Sequence, residues 1–152
     1  MTASVIAAAS FCAATALLHI VSITVTIFRC RPRPVLAPPP DAPPVTIVRP
    51  VCGLDNFVEE TLRTSFELDY PDYELIFCVA SERDPVVPVV RNLIAAHSAV
   101  AAQLLVGDDR VSPNPKLNNC VKGWRAAAHP FIVIADSNVL MPKDYVQRLL
   151  AA

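Results

Sequence analysis

From Val5 to Phe28 the chain carries no Asp, Glu, Lys, Arg, Gly or Pro. As a helix rising about 1.5 Å per residue, this stretch reaches about 36 Å, enough to cross the hydrocarbon core of a bilayer. Lipid offers no water to backbone N–H and C=O groups, so a lone apolar span of this length must be helical. His19 is its only ionisable residue. A neutral imidazole facing a partner helix accounts for it better than a proton relay, and it is assigned no function. No basic residue precedes the run, and the run exceeds the apolar part of a signal peptide, so it reads as an uncleaved anchor. Arg29, Arg31 and Arg33 follow directly. The positive-inside rule therefore puts the anchor's C-terminal side, and everything after it, in the cytosol. Three charges are too few for a lipid-binding patch.

Residues 1–31 form this anchor segment, and residues 32–44, PRPVLAPPPDAPP, cannot continue it. Proline at this density breaks helices and stays out of central strands. It predicts a stiff, extended spacer in preference to a proline-rich ligand for a recognition module. Residues 45–152 are enough for one domain. The chain balances 13 basic against 14 acidic residues. Such a balance gives no general attraction to nucleic acid or anionic lipid, so nucleic acid is not an expected partner. Cys12, Cys30, Cys52, Cys78 and Cys120 show no CxxC spacing and no histidine pair, which argues against a zinc site or a disulfide framework.

Beyond residue 44, apolar β-branched runs alternate with helical periodicity. Strands are expected at Val45–Val48, ended by Arg49-Pro50, then at Leu75–Val79, Leu104–Val106 and Phe131–Ala135. A helix capped by Asn56, with Glu59 at the capping-box position, would put Phe57, Thr61, Leu62 and Phe66 on one side. Val86–His97 repeats Val86, Val89, Val90, Leu93 and Ile94 at helical spacing, and Pro88 is tolerable in its first turn. Leu117–Ala128 is expected to be helical despite Gly123, and another helix starts at Asp144. With no hairpin signal between strands, the pattern predicts an α/β fold: a mostly parallel, Rossmann-like sheet covered on both faces.

Ligands of such sheets bind beyond the carboxyl ends of the strands, so acidic residues there draw the eye. Asp84 follows the second strand and Asp136 the fourth. One carboxylate can accept hydrogen bonds from a base or ribose, and the other can hold a divalent cation against a diphosphate. Oxygen ligands suit magnesium or manganese. Taken alone, Asp84 before Pro85 reads as a helix cap, a job compatible with ligand binding. Asp136 follows five apolar residues and is harder to explain structurally, although an Asx turn is an alternative. Between them, Asn114-Pro115-Lys116-Leu117-Asn118-Asn119 opens a helix with one cation and several amides. By composition it is a solvated loop with an N-cap, and by position a phosphate or base contact.

Arg49-Pro50 with Cys52-Gly53, Phe66-Glu67-Leu68-Asp69-Tyr70-Pro71, Asp84-Pro85, Asn114 to Asn119 and Asp136-Ser137-Asn138 occur in this order behind an N-terminal anchor. Together they resemble the ceramide glucosyltransferase family (glycosyltransferase family 21, family 2-like), including bacterial hopanoid-associated enzymes. The resemblance covers residues 45–152 and implies part of a GT-A fold. It implies an inverting transfer of a hexose, glucose or N-acetylglucosamine, from a nucleotide-sugar, a UDP-sugar, to a ceramide-like or hopanoid lipid. It assigns Asp84, Lys116 and Asn118 to the donor nucleotide. Asp136 and Asn138 fall in the metal-binding DxD-like element, which reads Asp-Ser-Asn here and lacks the second acid. The family's general base and its (Q/R)xxRW motif lie further downstream. The chain is therefore expected to be an N-terminal part with little or no transferase activity alone. Two other readings stand beside it: a non-catalytic, anchored nucleotide-binding or interaction piece, and a nucleotidyltransferase. For the latter, Arg49-Pro50-Val51-Cys52-Gly53 makes a poor phosphate loop.

Overall fold

A computed structural model describes residues 2–31 and 34–151 and divides the chain into two compact units, 1–34 and 35–152. Arg33 of the arginine group, Pro32 of the spacer and Ala152 lie outside the described residues.

The first unit is one helix, α1 (Ala3–Arg29), with no buried residue and a mean hydropathy of 2.0 over its most apolar window. It is long and apolar enough to cross a membrane. Its three threonine hydroxyls bond to its own backbone. Thr24 Oγ1 donates to the Ile20 carbonyl at 2.8 Å, Thr26 Oγ1 to Ser22 at 2.8 Å, and Thr15 Oγ1 to Phe11 at 3.0 Å. Back-bonding of this kind satisfies a polar group inside an apolar helix. At its C-terminal end the Arg31 guanidinium lies 4.4 Å from the centroid of the Phe28 ring, a cation–π contact.

In the second unit, strands β1 (Val45–Pro50), β2 (Tyr73–Val79), β3 (Ala101–Val106) and β4 (Phe131–Ile134) form one sheet in the order β3-β2-β1-β4, all pairs parallel. Register pairs Val48 with Ile76 and with Ile134. The central strands β1 and β2 are apolar nearly throughout because both of their faces are covered. Val45, Ile47, Leu75, Phe77 and Val79 point into the larger core with Leu62, Phe66, Val86, Val90 and Val146. These come from α2 (Val58–Arg63) and the 3₁₀ turn Thr64–Glu67 after it, α3 (Val86–Ala96) and α5 (Tyr145–Leu150). Alternate residues Val48, Ile76 and Cys78 face the other side, where α4 (Pro115–Ala126) lies over β1 and β2. The edge strands are half exposed, and Phe131 and Ile134 of β4 face solvent.

Three details differ from the sequence reading. β1 does not stop before Arg49-Pro50: both residues pair with β2, and Arg49 is fully buried. The helix expected from Asn56 begins at Val58, with Phe57 at φ 64° in the N-cap position and no side-chain cap. The turn is closed instead by Val58 N–H donating to the Asp55 carbonyl. Phe57, expected on the packed side, is 75% exposed. A left-handed backbone is unusual for a bulky side chain and carries strain. Finally, residues 35–44, expected as spacer, dock on the domain. Leu36 N–H donates to Asp144 Oδ2 at 2.8 Å, Tyr70 Oη to the Pro43 carbonyl at 2.6 Å, and Ala42 packs on the core. A chain already extended by proline loses little entropy on docking and still offers every carbonyl as an acceptor.

Candidate functional site

The carboxyl ends of β1, β2 and β4 and the start of α4 enclose a cavity of about 390 Å³. Its walls are Pro50 at the end of β1 with Val51 and Cys52 after it, Ala80 after β2, Asp136 to Asn138 after β4, and the N-cap Asn114 with Pro115, Lys116 and Asn119 of α4. Parallel strands deliver all these segments to one edge of the sheet, which is why residues far apart in sequence meet there.

Within the cavity, Lys116 Nζ lies 2.7 Å from Asp136 Oδ1, and both side chains are about half exposed, at 57% and 49%. The hydrogen bond to Asp136 pushes the Lys116 ammonium above its ordinary pKa. The start of α4 uses its own N–H groups locally: Asn114 Oδ1 accepts from Lys116 N at 3.0 Å and Leu117 N at 3.4 Å, with Pro115 at the first helical position. An N-cap of this kind leaves fewer backbone donors for a ligand, so the polar reach into the cavity comes from side chains.

The loop after β4 is held by a residue that the sequence pattern marks only as a strand end. Arg49 Nη2 donates to the carbonyls of Asp136 at 2.7 Å, Val139 at 2.9 Å and Ser137 at 3.1 Å, and Nη1 to Thr61 at 3.0 Å. Nη1 also reaches Ser65 Oγ, while Nε is buried without a partner among the described residues. Burial lowers the Arg49 pKa to about 10, against the upward pull of Tyr145 and Asp136. Thr61 Oγ1 adds a bond of 2.9 Å to the Ser137 carbonyl. The Asp136–Asn138 segment is therefore fastened from beneath by its backbone, leaving its side chains for the cavity. A lone arginine closing an apolar run is the one sequence signal of this role.

Of the expected site residues, Lys116, Asp136 and Asn138 line this cavity together; Asp84 and Asn118 do not. Asp84 Oδ1 accepts from Gly53 N at 2.9 Å and Val86 N at 3.0 Å. It thereby ties the β1 turn, where Gly53 has φ 68°, to the start of α3. Its carboxylate also meets Cys52, a lining residue whose thiol is pushed up first by burial and then by Asp84. Asn118 is buried. Its Oδ1 accepts from Ser112 N at 2.8 Å and Val111 N at 3.1 Å, and its Nδ2 donates to the Ser112 carbonyl at 3.0 Å. It faces a neighbouring depression that shares Ala80 and Pro115 with the first. Cys52 and Asn119 also line the cavity; both fall in motifs that the sequence singles out, but neither is assigned a site role there.

Among the described residues no three His, Cys, Asp or Glu side chains cluster in a way that could hold a metal alone. One carboxylate and one amide in a crevice still fit magnesium or manganese. Magnesium in particular keeps several waters and takes one or two carboxylates plus substrate phosphates. Lys116 meets Asp136 through Oδ1, and a carboxylate has a second oxygen that can serve such an ion.

Comparison with known proteins agrees with this architecture. The chain is 43% identical over 124 residues to a ceramide glucosyltransferase of Komagataella phaffii, covering 79% of this chain and 24% of the relative. It is 35% identical over 128 residues to ceramide glucosyltransferase 1 of Caenorhabditis elegans, covering 84% and 27%. The chain thus spans about a quarter of the length of these relatives. Among solved structures, it resembles the mannosyltransferase PcManGT of Pyrobaculum calidifontis, determined in complex with GDP-Man and Mn²⁺. The TM-score is 0.61 at 25% identity, over 90% of this chain and 41% of that one. TarS of S. aureus in complex with UDP-GlcNAc shares the fold, with a TM-score of 0.53 at 14% identity over 71% of this chain and 30% of that one. The model of glycosyl transferase family 21 matches residues 7–152, and the chain belongs to that family.

Proposed function

We propose that this chain is the donor-binding part of a membrane-anchored, inverting glycosyltransferase. The enzyme moves a hexose, glucose or N-acetylglucosamine, from a UDP-sugar to a ceramide-like or hopanoid lipid. The observation that carries the reading is the Lys116–Asp136 pair, set in a cavity at the carboxyl ends of a parallel sheet. Family membership, and the GDP-Man and Mn²⁺ found with PcManGT, support it.

In this reading Asp136 and Asn138 would hold a divalent cation, which would supply positive charge against the diphosphate. Lys116 turns from Asp136 to the diphosphate and adds a second positive charge there. Arg49 keeps the Asp136 backbone fixed while these side chains exchange partners. Asp84 and Asn118 serve the donor through the loops they hold, Asp84 through Cys52-Gly53 and Asn118 through residues 111–112. The lipid hydroxyl attacks the anomeric carbon on the face opposite the leaving nucleotide. This attack needs a general base that residues 45–152 do not supply by the family pattern, so the chain alone binds the donor without transferring its sugar. Helix α1 anchors the domain, which faces the cytosol and its nucleotide-sugars.

The test is thermal unfolding of the whole chain in detergent. UDP with Mn²⁺ raises the melting temperature in proportion to ligand excess over its dissociation constant, and Asp136→Ala removes the Mn²⁺-dependent part of the rise. A rise that survives Asp136→Ala intact sinks the metal role.

A further inference from the structure

Asn118 and Asn119 are adjacent in sequence and equally buried, both at 5% exposure, yet their surroundings are opposite. Asn118 uses its amide on the 111–112 loop in three hydrogen bonds. Asn119 lies about 100° further round the helix. It lines the cavity with Lys116 and Asp136, and its side chain has no hydrogen-bond partner among the described residues.

A primary amide carries two donors on nitrogen and an acceptor oxygen. The polar atoms of the Asn119 amide are not sealed in the protein but open onto the cavity, so they are free to pair with whatever the cavity holds. Leucine would fill a similar space on the inner face of α4 and would raise helix propensity. An amide kept there without a protein partner makes sense if a ligand completes it. Its cavity neighbours indicate which part of the ligand that is, since a lysine and a cation-binding carboxylate mark the seat of a diphosphate.

The geometry points to Asn119 as a ligand-contacting residue of the donor site, its amide N–H groups donating to a diphosphate oxygen of the nucleotide-sugar. This assignment rests on the donor-site reading above. Asn118 is the loop-holding member of the pair and Asn119 the ligand-holding one.

The two roles predict stability and affinity changes of different sign. In the whole chain in detergent, Asn119→Leu melts at or above the wild type without ligand, by up to about 4 °C, because the amide it replaces holds nothing in the protein and leucine raises helix propensity. Its affinity for UDP in the presence of Mn²⁺ falls at least about 10-fold, the loss expected of a hydrogen bond to a charged group. Its affinity for UMP, which lacks the second phosphate, falls less, so the advantage of UDP over UMP shrinks. Asn119→Ala shows the same pattern and removes any concern about overfilling the space. Asn118→Leu lowers the melting temperature instead. Wild-type UDP affinity in both Asn119 variants overturns the assignment. So does a ligand-free melting temperature well below wild type in both, or an equal loss for UMP and UDP. Should the wild-type chain itself show no UDP-dependent shift, the donor-site reading fails and the diphosphate contact falls with it. Unchanged UDP binding by the Asn119 variants alone sinks only the contact.

Discussion

Lys116 sits where a divalent cation would approach Asp136, with its ammonium 2.7 Å from Oδ1. The pair is half exposed, so its strength is modest and its partners can exchange. Removing the charge should move two affinities in opposite directions. In Lys116→Met, binding of Mn²⁺ without nucleotide tightens, because a competing positive charge has left the carboxylate. Binding of UDP weakens by about fivefold, the effect of one unit charge at about 4 Å in a watery site. Calorimetric titrations of Mn²⁺ alone, and of UDP at saturating Mn²⁺, check both signs. A variant that loses both affinities together would mark Lys116 as a structural prop. Asp136 and Lys116 are legible in the sequence, because an acid after an apolar strand and a lysine opening a helix must both arrive at the carboxyl edge of a parallel sheet. The choice between Asn118 and Asn119 is not legible there. Consecutive residues on a helix point in different directions, and only the tertiary setting of α4 decides which one meets the cavity. Arg49 is hidden for a related reason. All of its partners but Ser65 Oγ are backbone carbonyls, which leave no trace in the pattern of side chains.

At the scale of elements, α4 shows how one helix can both build the core and shape the site. Gly123 faces the sheet, and a Cβ placed there would lie 2.3 Å from Val48 Cγ1 and 3.0 Å from Cys78 Sγ. Both neighbours are buried, and Val48 is a stiff, β-branched residue that cannot swing aside. One position earlier, Lys122 Nζ donates to the Val79 carbonyl at 2.8 Å and also to the carbonyl of Gly107, gripping the ends of β2 and β3 that lead into the site loops. The glycine allows the close approach that puts this lysine in reach. On an exposed helix, glycine to alanine stabilises by about 1 kcal/mol. Here overpacking wins, and Gly123→Ala is expected to destabilise the domain by about 1–3 kcal/mol, read as a lower urea midpoint at unchanged slope. A gain in stability would mean that α4 rides higher on the sheet than described. The sequence announces the helix and its extent, but Gly123 counts there as a flaw, since close packing depends on a partner that the local pattern does not contain. The displaced start of α2 has a similar origin. Asn56 and Glu59 have capping-box spacing, yet the anchoring of Thr61 by Arg49 and by Ser137 belongs to the tertiary structure and the helix begins one residue later.

For the molecule as a whole, the decisive variable is which side of the membrane the domain occupies, because a donor site is useful only where nucleotide-sugars are. The arginines at the end of α1 argue for the cytosol, and the cysteines provide a means to ask. Thiolate is the reactive form, so a thiol whose pKa is raised labels slowly near neutrality. Cys78 is buried and pushed up to about 12 by that burial, while Cys52 and Cys120 are also raised, each first by burial. Cys12 lies within the apolar helix. Cys30, exposed and flanked by Arg29 and Arg31, is the natural reporter at the membrane boundary. A membrane-impermeant maleimide applied to intact cells should leave Cys30 unlabelled, and permeabilisation should expose it, with Cys30→Ser as the control for site. Labelling in intact cells would put the arginines and the domain outside. The fold would stand in that case, but the cavity at Asp136 would face a compartment without the cytosolic pool of donor, and the transfer proposed for it would lose its substrate.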